Sequence, residues 1–396
     1  MSQPALTSFE YIEAFSCLAD QCPSSCCNDA WRIAVDNEHV AQYQKDYPPI
    51  YNILAKDEQG YFMQSDENGC RALDKGLCII HRDHGEHLLS DTCQNYPRMF
   101  RDLGALYTKG GTMSCPEVAR LCLTMDSPFS MTTGTLPVNH AEGHGLVPNN
   151  PVKPESGQWQ QTLGALLALA QDESLSAEAI LLTLQKLGPM MESTPASDWA
   201  GVIAQAHHSA EETSLSEEMP RAMAGRMSLM IVALEALTRP GSPEVLRQAL
   251  TTAFTITDHA KDGVPSFQLQ ADIATHYRSM RPALAQTLKR FIAGEISRTG
   301  FPFISTSSAG QDYGHSVAQW TTTLIVRTLM LRTILLSLGG KINAIELPQD
   351  MLVEVMYNYC RKVNHLPAGG CEHELRQEID QGNAALLTDL ILMNAQ

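Results

Sequence analysis

Several features common in a chain of this length are missing. No apolar run approaches eighteen residues. The most apolar stretch, Thr323 to Leu338, is broken by Arg327 and Arg332, as in a buried amphipathic helix. Met1 to Tyr11 is polar and lacks the basic start and apolar core of a secretory leader, so a soluble, cytoplasmic protein with no membrane partner is expected. Positive charge is scarce: 28 Lys and Arg stand against 44 Asp and Glu, a net charge of −16. The deficit is spread along the chain, with 10 against 17 in the first 125 residues. That field disfavours nucleic acid and would draw in a cationic partner, such as a lysine-bearing protein surface; an acidic exterior also serves solubility alone. Lys109-Gly110-Gly111-Thr112 lacks the strand and helix context of a phosphate cradle, and no Gly-x-Ser-x-Gly elbow occurs. There is no internal repeat, heptad array or low-complexity tail.

What the chain has is cysteine. Of eleven, nine lie in the first third: Cys17, Cys22, Cys26, Cys27, Cys70, Cys78, Cys93, Cys115 and Cys122. A reducing compartment and an odd total argue against a disulfide scaffold and for metal or iron–sulfur ligation. Thiolates are soft donors that suit either zinc or an iron–sulfur cluster. Cys22-Pro23-Ser24-Ser25-Cys26-Cys27 has turn-forming residues, so one loop can deliver several ligands. Successive side chains diverge, so Cys26 and Cys27 are expected to face different sites, or one of them to be idle. Eight thiols (Cys17, Cys22, Cys26, Cys27, Cys70, Cys78, Cys93 and Cys115) would suit two four-ligand sites, or one site with spares. Paired Cys-x2-Cys knuckles are absent, as is a Cys-x3-Cys-x2-Cys loop. Zinc and iron–sulfur remain level on spacing alone. His81, His84 and His87 recur every third residue; surface positions near a turn at Gly85 are the simpler reading.

Composition divides the chain into a cysteine-rich domain (1–125), a linker or extended loop dense in Gly, Pro, Asn and Thr (126–155), and a helical domain (156–396). Periodicity places helices over Gln158–Asp172, Ser176–Leu187, Ser216–Leu237, Pro243–Thr255, Phe267–Ser297, His315–Leu338, Asp350–Val363 and Glu372–Met393. The methionines of the Ser216–Leu237 stretch read as core filling. A mainly α fold is expected, with a loop-rich, cysteine-cluster N-terminal domain and an α-helical C-terminal body.

Four segments in order resemble one family. They are Phe15-Ser16-Cys17-x4-Cys22-x3-Cys26-Cys27-x3-Trp31; Gly69-Cys70-x7-Cys78; Asp91-Thr92-Cys93-Gln94-Asn95-Tyr96-Pro97-Arg98-Met99; and Met113-Ser114-Cys115-Pro116-Glu117-Val118-Ala119-Arg120-Leu121. Together they resemble the flagellin lysine-N-methylases, within a wider group of cysteine-cluster, zinc- or iron-chelating proteins. Phe291-Ile292 to Phe301-Pro302-Phe303 looks like a weaker family element. The resemblance implies a protein-lysine N-methyltransferase that moves methyl groups from S-adenosylmethionine to flagellin lysines, with flagellin as partner. It also implies a 4Fe-4S cluster, zinc being the alternative, on the eight thiols. Two departures stand out: Arg71-Ala72-Leu73 follows Cys70 where a Pro-Phe-Leu-like run is expected, and Cys122 is extra. A doubly wound methyltransferase sheet is not expected, because regular strand–helix alternation is absent. Tyr96 and Arg98 are candidates for cofactor contact. Tyr96, Tyr107 and Asp91 are candidate orienting or base groups, with structural hydrogen bonding as the plainer role of each. The competing readings are a non-enzymatic iron–sulfur or zinc module with a helical interaction domain, and a zinc-stabilised adaptor. Cys122, Cys360 and Cys371 are set aside.

Overall fold

The computed structural model describes residues 5–28, 32–67, 69–102, 107–136, 146–147, 156–210, 243–259, 265–269, 271–303, 316–364, and 379, 387, 388, 390 and 391. The expected helix Ser216–Leu237, most of Glu372–Met393, Trp31 and Cys371 lie outside these residues. The described chain is mainly α-helical with small, scattered sheets.

The N-terminal part opens with strand β1 (Ala5–Phe9) and continues through helix α1 (Asn37–Asp46) into the hairpin β2 (Leu54–Asp57) and β3 (Gly60–Met63). Two shorter hairpins follow, β4 (Ser65–Asp66) with β5 (Gly69–Cys70) and β6 (Leu73–Asp74) with β7 (Leu77–Cys78). Lys75 and Gly76 both have positive φ (52° and 83°), as a two-residue primed turn requires. Helices α2 (Ile79–His84) and α3 (Asp91–Asn95) lead to β8 (Arg98–Asp102) and β9 (Tyr107–Gly111), then to α4 (Pro116–Thr124). Pro116 sits at the start of α4, where its missing N–H costs nothing.

The expected linker 126–155 is partly structured. Met131–Thr135 forms β10, antiparallel to β1, and Leu146–Val147 forms β11 beside β8. These complete a mixed sheet in the order β10-β1-β9-β8-β11. The Thr-rich run of β10 reads locally as loop because its strand character comes from pairing with β1, more than a hundred residues earlier.

The helical body comprises α5 (Ser156–Ala170), α6 (Ala177–Glu192), α7 (Trp199–His208), α8 (Glu244–Ala253), α9 (Ala271–Thr299), α10 (Val317–Ile342) and α11 (Gln349–Asn364). A further hairpin, β12 (Phe254–His259) with β13 (Pro265–Leu269), lies between the expected helices Pro243–Thr255 and Phe267–Ser297 and takes the end of the first and the start of the second. Ser176 and Ser316 cap α6 and α10 by accepting from the N–H groups of Ala179 and Gln319. Helix α10 packs on α6, α8, α9 and α11 and is the axis of the core. By length and composition it could span a membrane, but 94% of its apolar window is buried inside the protein.

Two apolar clusters matter for the site. The large one joins the helical body to Phe9, Tyr11, Ile12, Cys115 and α4. The smaller one, built on Ile33, Val35, Tyr43, Ile50, Met63 and Leu88, contains Cys70 and has Cys27, Cys78 and Cys93 packed against it. Helix α9 lies on β9 so closely that a Cβ on Gly110 would stand 2.7 Å from the Ser297 carbonyl oxygen.

Candidate metal centre

The thiols come from turns, strand ends and short helices. Cys26 and Cys27 sit in one 3-10 turn, Cys26–Asn28. Cys70 ends β5, Cys78 ends β7 and precedes α2, Cys93 lies in α3, and Cys115 caps α4. Gly69 explains how Cys70 reaches Cys27. Its φ is +100°, and a Cβ there would stand 2.3 Å from the Cys27 carbonyl oxygen and 2.9 Å from the Asn28 Cα. Glycine is required on both counts.

Several sulfurs are arranged as hydrogen-bond acceptors. The Ala19 N–H lies 3.5 Å from the Cys17 Sγ. Cys70 is served by the N–H of Ala72, Cys78 by those of Ile80 and His81, and Cys115 by those of Glu117 and Val118. In each case a donor stands two residues after the cysteine. Such donors favour thiolate, whereas burial favours thiol. Burial wins: Cys70 and Cys115 are each pushed up to about 11, and Cys93 to about 12. Cys22, likewise raised by burial, directs its S–H at the Ser24 carbonyl, 3.3 Å away. Cys26 is hydrogen-bonded to Cys27, which raises Cys26 and lowers Cys27.

The thiols fall into two groups by mutual influence. Cys27, Cys70, Cys78 and Cys93 act on one another in every pairing, each negative sulfur raising the proton affinity of its neighbours. Cys115 is acted on by Cys22 and Cys17, and Cys22 by Cys17, while Cys26 stands between the groups, acted on by Cys27 and Cys93 and then by Cys115. Ser90 is wholly buried, its hydroxyl makes no standard hydrogen bond, and Cys93 is the group it influences.

Cys122 and Cys360 are wholly buried in the large core, and burial holds both well above the ordinary thiol range. Tyr96 is strongly raised, first by burial and then by Cys115; its hydroxyl lies 3.2 Å from the Ser114 Oγ. Arg98 lies over the Phe15 ring, 5.0 Å from its centroid. Tyr107 packs on Leu6, Phe100 and Leu136. His84 stacks edge-on against Tyr47.

Sequence reasoning missed Arg361. This buried residue of α11 donates from Nε to the Ser114 carbonyl (2.9 Å) and from its two terminal nitrogens to Ser24 Oγ (2.6 Å) and the Ser24 carbonyl (2.8 Å). Its charge opposes the rise of the Cys22 thiol. No local pattern marks it, because its partners lie some 250 and 340 residues earlier in the chain.

Also missed was a set of three ligand atoms mutually within 4.8 Å, from Asp36, His39 and Asp91. Asp36 caps α1 through the His39 N–H (3.0 Å), takes the His39 Nδ1 at 2.8 Å, and accepts the Asp91 N–H at 3.1 Å. Burial works against it, but these bonds hold its carboxyl well below the usual range, and Asp36 raises His39 in turn. Among the described residues no three thiol sulfurs lie that close together.

No protein-family model, no curated protein and no solved structure matches this chain.

Proposed function

We propose that the chain is a metal-dependent protein-lysine N-methyltransferase acting on flagellin. In this reading the eight clustered thiols hold iron–sulfur, and S-adenosylmethionine is the methyl donor. The observation that carries the metal part is the gathering of Cys27, Cys70, Cys78 and Cys93 on one small apolar cluster, with the Ala19 N–H set 3.5 Å from the Cys17 Sγ. Thiolate is the form that ligates metal, so binding here would release the protons that burial holds on these sulfurs. The eight thiols fit the group as donors, since each four-iron cluster or zinc ion takes four. The choice of iron–sulfur over zinc rests on the resemblance of the ordered motifs.

The methyltransferase part rests on the ordered motifs, with the acidic charge in support. A chain at −16 attracts a lysine-presenting surface. Bound iron–sulfur would supply a soft, electron-rich inorganic centre. The chain's own work is different: to hold the sulfurs, exclude water and present the lysine as free amine, whose lone pair takes the sulfonium methyl while the proton leaves to a base. The finer architecture belongs to the same proposal: a loop-rich cysteine domain beside a helical body, with catalysis outside any doubly wound sheet. Tyr96, buried beside Cys115 and Cys26, would orient a group at the metal. Arg98, stacked on Phe15, is placed to brace β8.

The test is the intact mass of purified flagellin after incubation with anaerobically prepared protein and S-adenosylmethionine. Stepwise methyl additions on lysines, lost with Cys22→Ser or Cys93→Ser, are expected. Unchanged flagellin with fully metal-loaded protein would reject the methyltransferase reading and leave a non-enzymatic metal module.

A further inference from the structure

The placement of the eight thiols, together with one arginine, divides the metal site. Cys27, Cys70, Cys78 and Cys93 all pack on the smaller apolar cluster around Tyr43, Met63 and Leu88. Close approach at Gly69 presses the Cys70 strand onto the Cys27–Asn28 backbone. The β6–β7 pairing sets Leu73 opposite Cys78, and Tyr43 donates to the Leu88 carbonyl beneath the group. Cys115 belongs instead to the large core of the helical body. Arg361 fixes the loop of Cys22 and Cys26 to the Cys115 turn, since its guanidinium holds Ser24 and Ser114 together. Arg361 itself rides on α11, stacked on Tyr357 at 5.0 Å. The adjacent pair Cys26–Cys27, hydrogen-bonded to each other within one 3-10 turn, is where the groups touch, so that turn can serve both.

We propose that the chain builds two metal–thiolate centres, one on Cys27, Cys70, Cys78 and Cys93 and the other on Cys17, Cys22, Cys26 and Cys115. Arg361 is the positioning countercharge of the second. This rests on the reading that the thiols hold metal, but it does not depend on methyl transfer. The first centre is braced by the N-terminal domain alone. The second is shared with the helical body, so α11 has a direct mechanical and electrostatic hold on it. A four-thiolate cluster is anionic, and a buried cation beside it stabilises its more negative, reduced form.

The experiment is iron, zinc and sulfide analysis of the full-length chain, purified and reconstituted without oxygen, with redox titration followed by electron paramagnetic resonance. The wild type is expected to hold two centres, read as about eight iron and eight sulfide per chain. Cys78→Ser is expected to remove one half and Cys17→Ser the other; Cys17 is exposed, so its substitution spares the fold. Arg361→Gln is expected to lower the midpoint potential of one centre and leave the other unchanged, with Arg361→Lys partly restoring it. Circular dichroism of each variant confirms that the helical body is intact. One centre per chain, or loss of both centres from either single-cysteine variant with the helical signal intact, would overturn the division. A wild type that holds no metal would overturn the metal reading itself. Two centres without flagellin methylation would uphold the division while rejecting only the methyltransferase proposal.

Discussion

At the scale of single residues, the site depends on positions where a side chain cannot be added or removed. Gly69→Ala would place a methyl group against the Cys27 carbonyl at a positive φ. A destabilisation of about 1–3 kcal/mol is expected, with metal lost from the Cys70 group; a denaturant midpoint and a metal assay together check it. An unchanged midpoint would mean that the Cys27 turn moves freely. Deeper in the body, Glu295 is fully buried and pairs with Arg298 through both carboxylate oxygens, at 3.0 and 2.6 Å. Arg327 stands 3.8 Å away. Removing the carboxylate takes a buried negative charge from beside two buried guanidinium groups, so Glu295→Ala is expected to cost about 3–5 kcal/mol, measured by chemical unfolding. Of these residues the sequence marked the cysteines alone. Gly69 drew notice only as part of a motif, and Glu295 and Arg361 were ordinary charges on helical stretches. Their importance comes from partners far away in the chain, which no local pattern displays.

Between elements, the positioning of the site is done by caps and hairpins. Asp36 starts α1 and also holds the first N–H of α3, two residues before Cys93. Asp36→Ala is expected to cost about 1–2 kcal/mol, the usual worth of a strong cap, and to weaken metal binding at the Cys93 group. Thermal melting and metal competition would detect both effects. A quite separate tie joins the turn after α5 to the end of α7, where Asp172 accepts from Ser174 at 2.6 Å and pairs with His207 at 2.6 Å. Those bonds, Ser174 first and His207 second, pull the Asp172 carboxyl down to about 2. A depressed carboxyl stabilises the fold above its unfolded value of about 4 and loses that contribution as pH falls through about 2. The melting gap between wild type and Asp172→Asn should therefore be constant at neutral pH and close over that acid window; a gap that widens there would contradict the assignment. The long helices α5, α6, α10 and α11 were legible from apolar periodicity to within a few residues. Helix α7 and the β12–β13 hairpin, which takes the last residues of one expected helix and the first of the next, are not legible in the sequence, because short elements take their form from pairing and packing more than from periodicity.

For the whole molecule, the mainly α class was legible in the sequence, because long amphipathic runs dominate its second half. The junction between the halves was less so: β10 closes the sheet against β1, and α11 reaches back to Ser24 and Ser114. Both are long-range events that composition cannot announce. The large core spans the helical body and α4, while the smaller cluster carries Cys70 with three more thiols packed on it. Chelation should accordingly loosen residues around 17–93 first and leave the body folded. Hydrogen exchange read by mass spectrometry should show early exchange in α1 to α3 and continued protection in α10. Uniform loss of protection would contradict this. The most direct test of the central claim is the iron, zinc and sulfide content of the wild-type chain purified without oxygen. Iron and sulfide in equal amounts, with cluster absorption in the visible range, are expected. A colourless protein with no bound metal and all eleven thiols free to titrate would contradict the account.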